Sequence, residues 1–139
     1  MVETMHASVG VGLAATQVGI ELRMLVLDEG RGVVRAYLNP TLVEQGGEEV
    51  GEEGCLSLPG VFADVARAEW AVVEAQERSG APIRRQARGL MARVFQHEID
   101  HLDGVLFIDR LDKVTRDRIK RRIRREGFPE DAHVGAMVL

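Results

Sequence analysis

One cysteine in 139 residues leaves no partner for an intramolecular disulfide. No basic segment followed by an apolar run opens the chain, so nothing reads as a secretory leader and a reducing, cytoplasmic setting is expected. Long hydrophobic stretches are missing as well. The apolar runs are strand-sized and broken by charges, too short to span a bilayer, and no membrane partner is expected. Internal repeats and low-complexity tracts are also lacking. What remains at 15.3 kDa is the size of one domain, able to bury a core without staples.

The net charge is -4, but it is unevenly spread. Residues 110–125 carry nine basic side chains against Asp112 and Asp117, a local charge of +7 that leaves -11 on the rest. Ile108, Leu111, Val114, Ile119 and Ile123 recur there at near-helical spacing, so an amphipathic helix is expected with one stripe packed on the body and the arginines displayed. Such a face is either simply solvated or suited to a polyanion.

The lone cysteine gains meaning from its company. His97-Glu98-Ile99-Asp100-His101 places two histidines four apart, so on a helix both imidazoles project from one face, one turn apart, and can share an ion. Cys55, in Glu53-Gly54-Cys55-Leu56-Ser57, can close the set from another element, with Gly54 allowing close backbone approach. Three ligands leave a fourth position open for water, whereas structural sites fill all four with protein. Cys55, His97 and His101 are therefore the expected ligands of a catalytic divalent metal.

Gly10-x-Gly12-x-x-Ala15 competes as a dinucleotide fingerprint, with Asp28 mimicking its acidic ribose ligand. Its context is wrong. The fingerprint requires a buried strand before it and a helix after it, but residues 1–8 read as polar helix and Thr16-Gln17-Val18-Gly19 supplies no amphipathic one.

Residues 2–7 read as the end of a helix. Residues 23–28 and 33–38 form a predicted hairpin across Glu29-Gly30-Arg31-Gly32, ended by Asn39-Pro40. Further strands are expected over 41–50, 69–76 and 82–88. From Leu90 the period becomes helical as far as residue 102 or 103, where Gly104 closes it. Strands cluster first and helices follow, so the expected fold class is α+β: antiparallel sheets packed around a central metal-binding helix, with a C-terminal amphipathic helix. The domain is expected over 1–125. Residues 126–139, with Gly127, Pro129 and Gly135, read as a flexible tail.

Gly10-Val11-Gly12-Leu13-Ala14-Ala15-Thr16-Gln17, Glu53-Gly54-Cys55-Leu56-Ser57 and Gln96-His97-Glu98-Ile99-Asp100-His101 occur in the order and form of the three motifs of peptide deformylases. The chain resembles that family from about residue 1 to about 125, including Leu38-Asn39-Pro40 and the 104–109 run. The resemblance implies removal of the formyl group from the N-terminal formylmethionine of new polypeptides by a metal-bound water. Ferrous iron is the first expectation for the metal, with zinc, nickel and cobalt as alternatives. Glu98, about 100° around the helix from the neighbouring ligand, would take the water's proton and deliver it to the leaving amine. Gln17 and the Leu56 backbone N–H would meet the charge that develops on the carbonyl oxygen. Val11, Leu90 and Val94 would form the methionine pocket, and Gly12 and Gly54 would present backbone to an extended N-formylmethionyl peptide. Arg93 stands where an apolar residue is usual, which predicts a more polar pocket edge. Asp100 is expected either to orient a histidine ligand or to lie on the surface. The family's C-terminal helix is associated with docking on the ribosome, which would give the 110–125 arginines RNA phosphates to contact.

Deformylases usually carry a longer segment before the first motif than the nine residues found here. A short front would uncover apolar surface beside the cleft and favour a homo-oligomer through it. A truncated, weakly active or inactive relative acting as a metal-containing binding protein is thus one alternative, and a zincin-like peptidase another. The upstream Cys55 departs from the downstream Glu or His usual in those peptidases.

Overall fold

A computed structural model describes residues 1–7, 11–30 and 32–128. A short helix α1 (Val2–Ala7) leads to strand β1 (Gly12–Ala14) and a single 3-10 turn (Ala15–Val18). Strands β2 (Met24–Asp28) and β3 (Val34–Gly46) follow, then β4 (Glu49–Cys55), β5 (Leu58–Arg67), β6 (Trp70–Gln76) and β7 (Pro82–Arg88). Helix α2 (Gly89–Leu102), a 3-10 turn (Phe107–Arg110) and helix α3 (Lys113–Glu126) complete the order. All pairings are antiparallel, in one five-stranded sheet ordered β1-β2-β3-β6-β7 and a separate β4-β5 hairpin. Helices and antiparallel sheets combine as the α+β reading expects. The expected tail and Arg31 of the expected turn fall largely or wholly outside the described residues, as do Ser8, Val9 and Gly10 before β1.

Helix α2 is enclosed on every side, with residues 92–101 all buried. Ala92, Phe95 and Ile99 enter a core with Leu25, Leu27, Tyr37 and Val73 of the large sheet, where Tyr37 meets Phe95 edge to face with ring centroids 4.9 Å apart. Gly12 makes close approach of β1 to this helix feasible. A Cβ there would lie 2.9 Å from a Val94 methyl and 3.0 Å from Glu98 Cγ, too near for any larger residue. The helix ends as expected, with Gly104 at φ 76° and its N–H bonded to the His101 carbonyl.

Two strand expectations need correction. Asn39-Pro40 does not end a strand: β3 runs through it by a register shift between Leu38 and Thr41, with Asn39 at φ 50°. An irregularity at that point tolerates a proline that offers no N–H to the ladder. The expected strand over 41–50 is instead the second half of β3 and the first residues of β4, divided after Gly46. The β4-β5 hairpin was not anticipated. Glu-Val-Gly-Glu-Glu-Gly-Cys has little strand propensity, and Phe62 packs so closely on Gly54 that a Cβ there would sit 2.4 Å from its ring.

Helix α3 is anchored as its stripe implies through Leu111, Ile119 and Ile123, which pack on Val65, Phe107 and Ile108. Val114 is the exception at 73% exposed. Asp112 caps the helix by accepting from the Thr115 N–H, so Val114 lies in the first turn and faces away from the packed stripe.

Candidate metal centre

Cys55 arrives at the end of β4, and His97 and His101 from one face of α2. Their ligand atoms all lie within 4.8 Å of one another, and all three residues are buried. His101 Nε2 is 3.0 Å from His97 Nε2 and 3.2 Å from Cys55 Sγ. Tetrahedral geometry around an ion with ordinary nitrogen and sulfur bond lengths would separate such atoms by about 3.3–3.6 Å. Those two separations come within a few tenths of an ångström of that geometry, and the set is compatible with a divalent ion.

The tautomer of His97 supports this fit. Its Nδ1 lies 2.8 Å from Glu53 Oε1. The fully buried Glu53 carboxylate also accepts from Arg67 at 2.9 and 3.0 Å and from Arg93 at 2.6 Å. Burial acts to raise its pKa, but the hydrogen bonds from His97 and Arg67 and the Arg67 charge outweigh this and hold it down at about 2. An ionised carboxylate can only accept, so the His97 proton sits on Nδ1 and Nε2 keeps a lone pair toward the cluster. Burial likewise lowers His101 to about 4, with His97 adding to the effect, so its imidazole is neutral as a ligand must be. Without an ion, burial pushes the Cys55 thiol up to about 11, against a Ser57 N–H that points at the sulfur from 3.4 Å.

Around this centre the first motif supplies two fixed polar groups. Gln17 lies in the 3-10 turn. Its Oε1 accepts from the Ala14 N–H at 2.8 Å, which turns Nε2 toward Ser57 Oγ at 3.1 Å and Cys55 Sγ at 3.7 Å. Thr16 Oγ donates to the His101 carbonyl at 3.2 Å and so ties the first motif to the third. Leu56 follows Cys55 in the tight turn between β4 and β5, its side chain against the cluster of Met5, Leu13 and Val26.

Glu98 is fully buried, and among the described residues neither of its carboxylate oxygens has a hydrogen-bond partner. Burial raises its pKa to about 8 and Glu53's charge adds to this, although the nearby Ala14 amide and Arg67 act the other way. A buried carboxyl group without a partner is costly, and it is found where chemistry requires it.

This arrangement matches a known one. The family model described as "Polypeptide deformylase" matches residues 1–117. Among curated relatives, a peptide deformylase of Chromobacterium violaceum is 48% identical over 127 residues, covering 90% of this chain and 76% of the relative. One of Alkalilimnicola ehrlichii is 48% identical over 126 residues, covering 88% and 71%. The crystal structure of the Thermus thermophilus enzyme superposes with TM-score 0.85 at 46% identity, covering 90% of this chain and 75% of that one. A Synechococcus elongatus peptide deformylase in complex with actinonin gives 0.83 at 39% identity, covering 94% and 72%. The chain belongs to the polypeptide deformylase family. It is accordingly related to hydrolases, and its Cys55, His97 and His101 are compatible with a divalent metal site.

The remaining expected site residues divide. Val94 is buried on the ligand-bearing side of α2, Val11 is partly buried against the same core, and Leu90 is 47% exposed two turns before His97. Arg93 does not make a pocket edge polar. It is buried and turned toward the hairpin, bonded to Glu53 and to backbone carbonyls. Asp100 neither orients a histidine nor lies on the surface, since it is buried and accepts from Arg67 and Arg110. The residue that orients His97 is Glu53. It stands two before Cys55 in the same strand and, like Cys55, reaches a histidine of α2, so its place in the second motif was the available signal. Nothing local points to Arg67. A cleft of ≈ 520 Å³ lined by Gln45, Ala66, Arg67, Gln96, Asp100 and Arg110 includes none of the three candidate ligands, and lies behind the ion-pair network.

In the metal-free protein, folding disfavours ionised Glu98 between its ordinary 4.5 and about 8. The unfolded chain binds fewer protons in that range, so stability falls as pH rises through it. His101 contributes the opposite slope, but only below its ordinary 6.5, and Cys55 starts to contribute only near 9. Urea midpoints of the metal-free chain are therefore expected to decline from pH 6.5 to 8, and to stay flat in Glu98→Gln; equal declines in both would contradict the burial account of Glu98.

Proposed function

We propose that the chain removes the formyl group from N-formylmethionyl ends of polypeptides, with one divalent ion held by Cys55, His97 and His101. The observation that carries this reading is Glu98, a buried carboxylate with no hydrogen-bond partner among the described residues, next to a three-ligand cluster. The ion, ferrous iron by the family's habit, would polarise the formyl carbonyl and lower the pKa of a water at the fourth position. Glu98, next to the ion's positive charge, which would favour its carboxylate form, would take a proton from a water that adds to the formyl carbon. It then delivers the proton to the amine as the carbon–nitrogen bond breaks, so that water and formamide become formate and a free N-terminus. The Gln17 amide, pre-aimed by its bond to Ala14, and the Leu56 N–H supply the donors that the developing oxyanion requires.

Substrate recognition follows from the edges. Among the described residues β1 pairs only with β2 and so offers its other side, at Gly12, to an extended peptide, with Gly54 as the second backbone contact. Val11, Val94 and the exposed Leu90 give an apolar surface for methionine. Helix α3 presents exposed Arg118, Arg121, Arg122, Arg124 and Arg125, a surface suited to ribosomal RNA. No helix among the described residues is long and apolar enough to cross a membrane.

Two outcomes test this reading. Glu98→Gln should keep its bound metal while formate release from a formyl-Met peptide drops by about 10²–10⁴-fold; full activity in that variant would remove Glu98 from proton transfer. Reversal of Arg121, Arg122, Arg124 and Arg125 to Glu should abolish salt-sensitive ribosome pelleting and leave turnover of a free peptide unchanged, whereas equal pelleting would leave α3 an ordinary solvated face.

A further inference from the structure

Arg93 lies outside the three motifs, and the reaction has no use for it, yet its charge is buried within 5% of full enclosure. We propose that Arg93 is a positioning residue whose guanidinium fixes the Cys55 strand against the histidine helix, and so determines how firmly the cluster holds a divalent ion. The inference rests on reading Cys55, His97 and His101 as a metal site.

The side chain starts one turn before His97 on α2 and reaches both strands of the hairpin. Its Nη1 donates to Glu53 Oε2 at 2.6 Å and to the Val65 carbonyl at 3.0 Å, with the Gly51 carbonyl at 3.5 Å; Nη2 donates to the Glu49 carbonyl at 2.7 Å. Glu49, Gly51 and Glu53 are alternate residues of β4, so this grip runs along the strand that ends in the ligand Cys55. Gly51 leaves the room required: a Cβ there would lie 3.2 Å from both Arg93 Cζ and Nη2. Three of the acceptors are main-chain carbonyls, so the contact holds the strand itself and not a side chain that could swing.

Arg67 forms a different brace. It belongs to β5, and its side chain joins the carboxylate of Glu53 to that of Asp100 of α2, whereas the Arg93 side chain bonds the β4 main chain. Removing Arg93 therefore leaves Glu53 two partners, His97 and Arg67, but removes the bonds from α2 to the β4 main chain at Glu49 and Gly51. Lysine cannot substitute fully, because one ammonium lacks the planar fork that serves four acceptors at once.

The test uses the full chain with cobalt(II), whose thiolate charge-transfer and visible bands report ligand set and geometry, in competition with a chelator. Arg93→Met should bind cobalt about 10- to 100-fold more weakly than the parent and with altered visible bands, and Arg93→Lys should fall between them. Gly51→Ala, which pushes the guanidinium without removing its charge, should weaken binding in the same direction and decides the matter if Arg93→Met does not fold. Parental affinity and spectrum in a folded Arg93→Met or Gly51→Ala chain would overturn the proposal alone. Failure of the parent to bind cobalt would overturn it together with the metal-site reading, and formate release does not enter either result.

Discussion

The Glu53 carboxylate is the interaction on which the rest of the site depends. A fully enclosed negative charge is destabilising unless its lone pairs are met, and here they are met by two guanidinium groups and the His97 N–H. Each donor comes from a different place: Arg67 from β5, Arg93 and His97 from successive turns of α2. One carboxylate thus joins the small hairpin to the helix and sets which nitrogen of His97 faces the cluster. Removing Glu53 itself would leave the buried Arg93 without its only carboxylate partner among the described residues, a loss of about 3–5 kcal/mol in comparable buried pairs.

Helix α2 can serve as the hub because its faces differ in chemistry. Ala92, Phe95 and Ile99 fill the apolar core against the large sheet. Arg93, Gln96 and Asp100 make polar ties toward β4, β5 and the chain between β5 and β6; Gln96 both donates to the Ala68 carbonyl and accepts from the Ala68 N–H. His97, Glu98 and His101 are left to face the site, with Glu98 enclosed between α2 and β1 by the close contact at Gly12. A helix sealed on all sides excludes water from its polar residues, and that exclusion accounts for the raised pKa of Glu98 and the lowered one of His101.

Much of the site was legible because metal ligation imposes spacing. Two histidines one helical turn apart, and a cysteine in a glycine-flanked motif, are local patterns, and the structure brings all three together. The helix boundaries were equally local, marked by the change of period at Leu90 and by Gly104. The β4-β5 hairpin was not legible, since its strand character comes from cross-strand pairing and the Arg93 grip and not from Glu- and Gly-rich propensity. Arg93 and Asp100 were misplaced for a related reason. A charged residue on a helix reads as solvent-facing or pocket-facing, and only the tertiary structure reveals a buried partner for it. Pro40 misled because proline ordinarily ends a strand, whereas here it coincides with a register shift.

The central claim is that an ion at this centre takes one sulfur and two imidazole nitrogens and leaves a position open. X-ray absorption at the zinc edge of the zinc-loaded full chain tests it most directly. The account predicts one sulfur at about 2.3 Å, two imidazole nitrogens at about 2.0–2.1 Å and one further light atom that exchanges with added small anions. A zinc shell without sulfur, or one filled by four protein ligands, would contradict it.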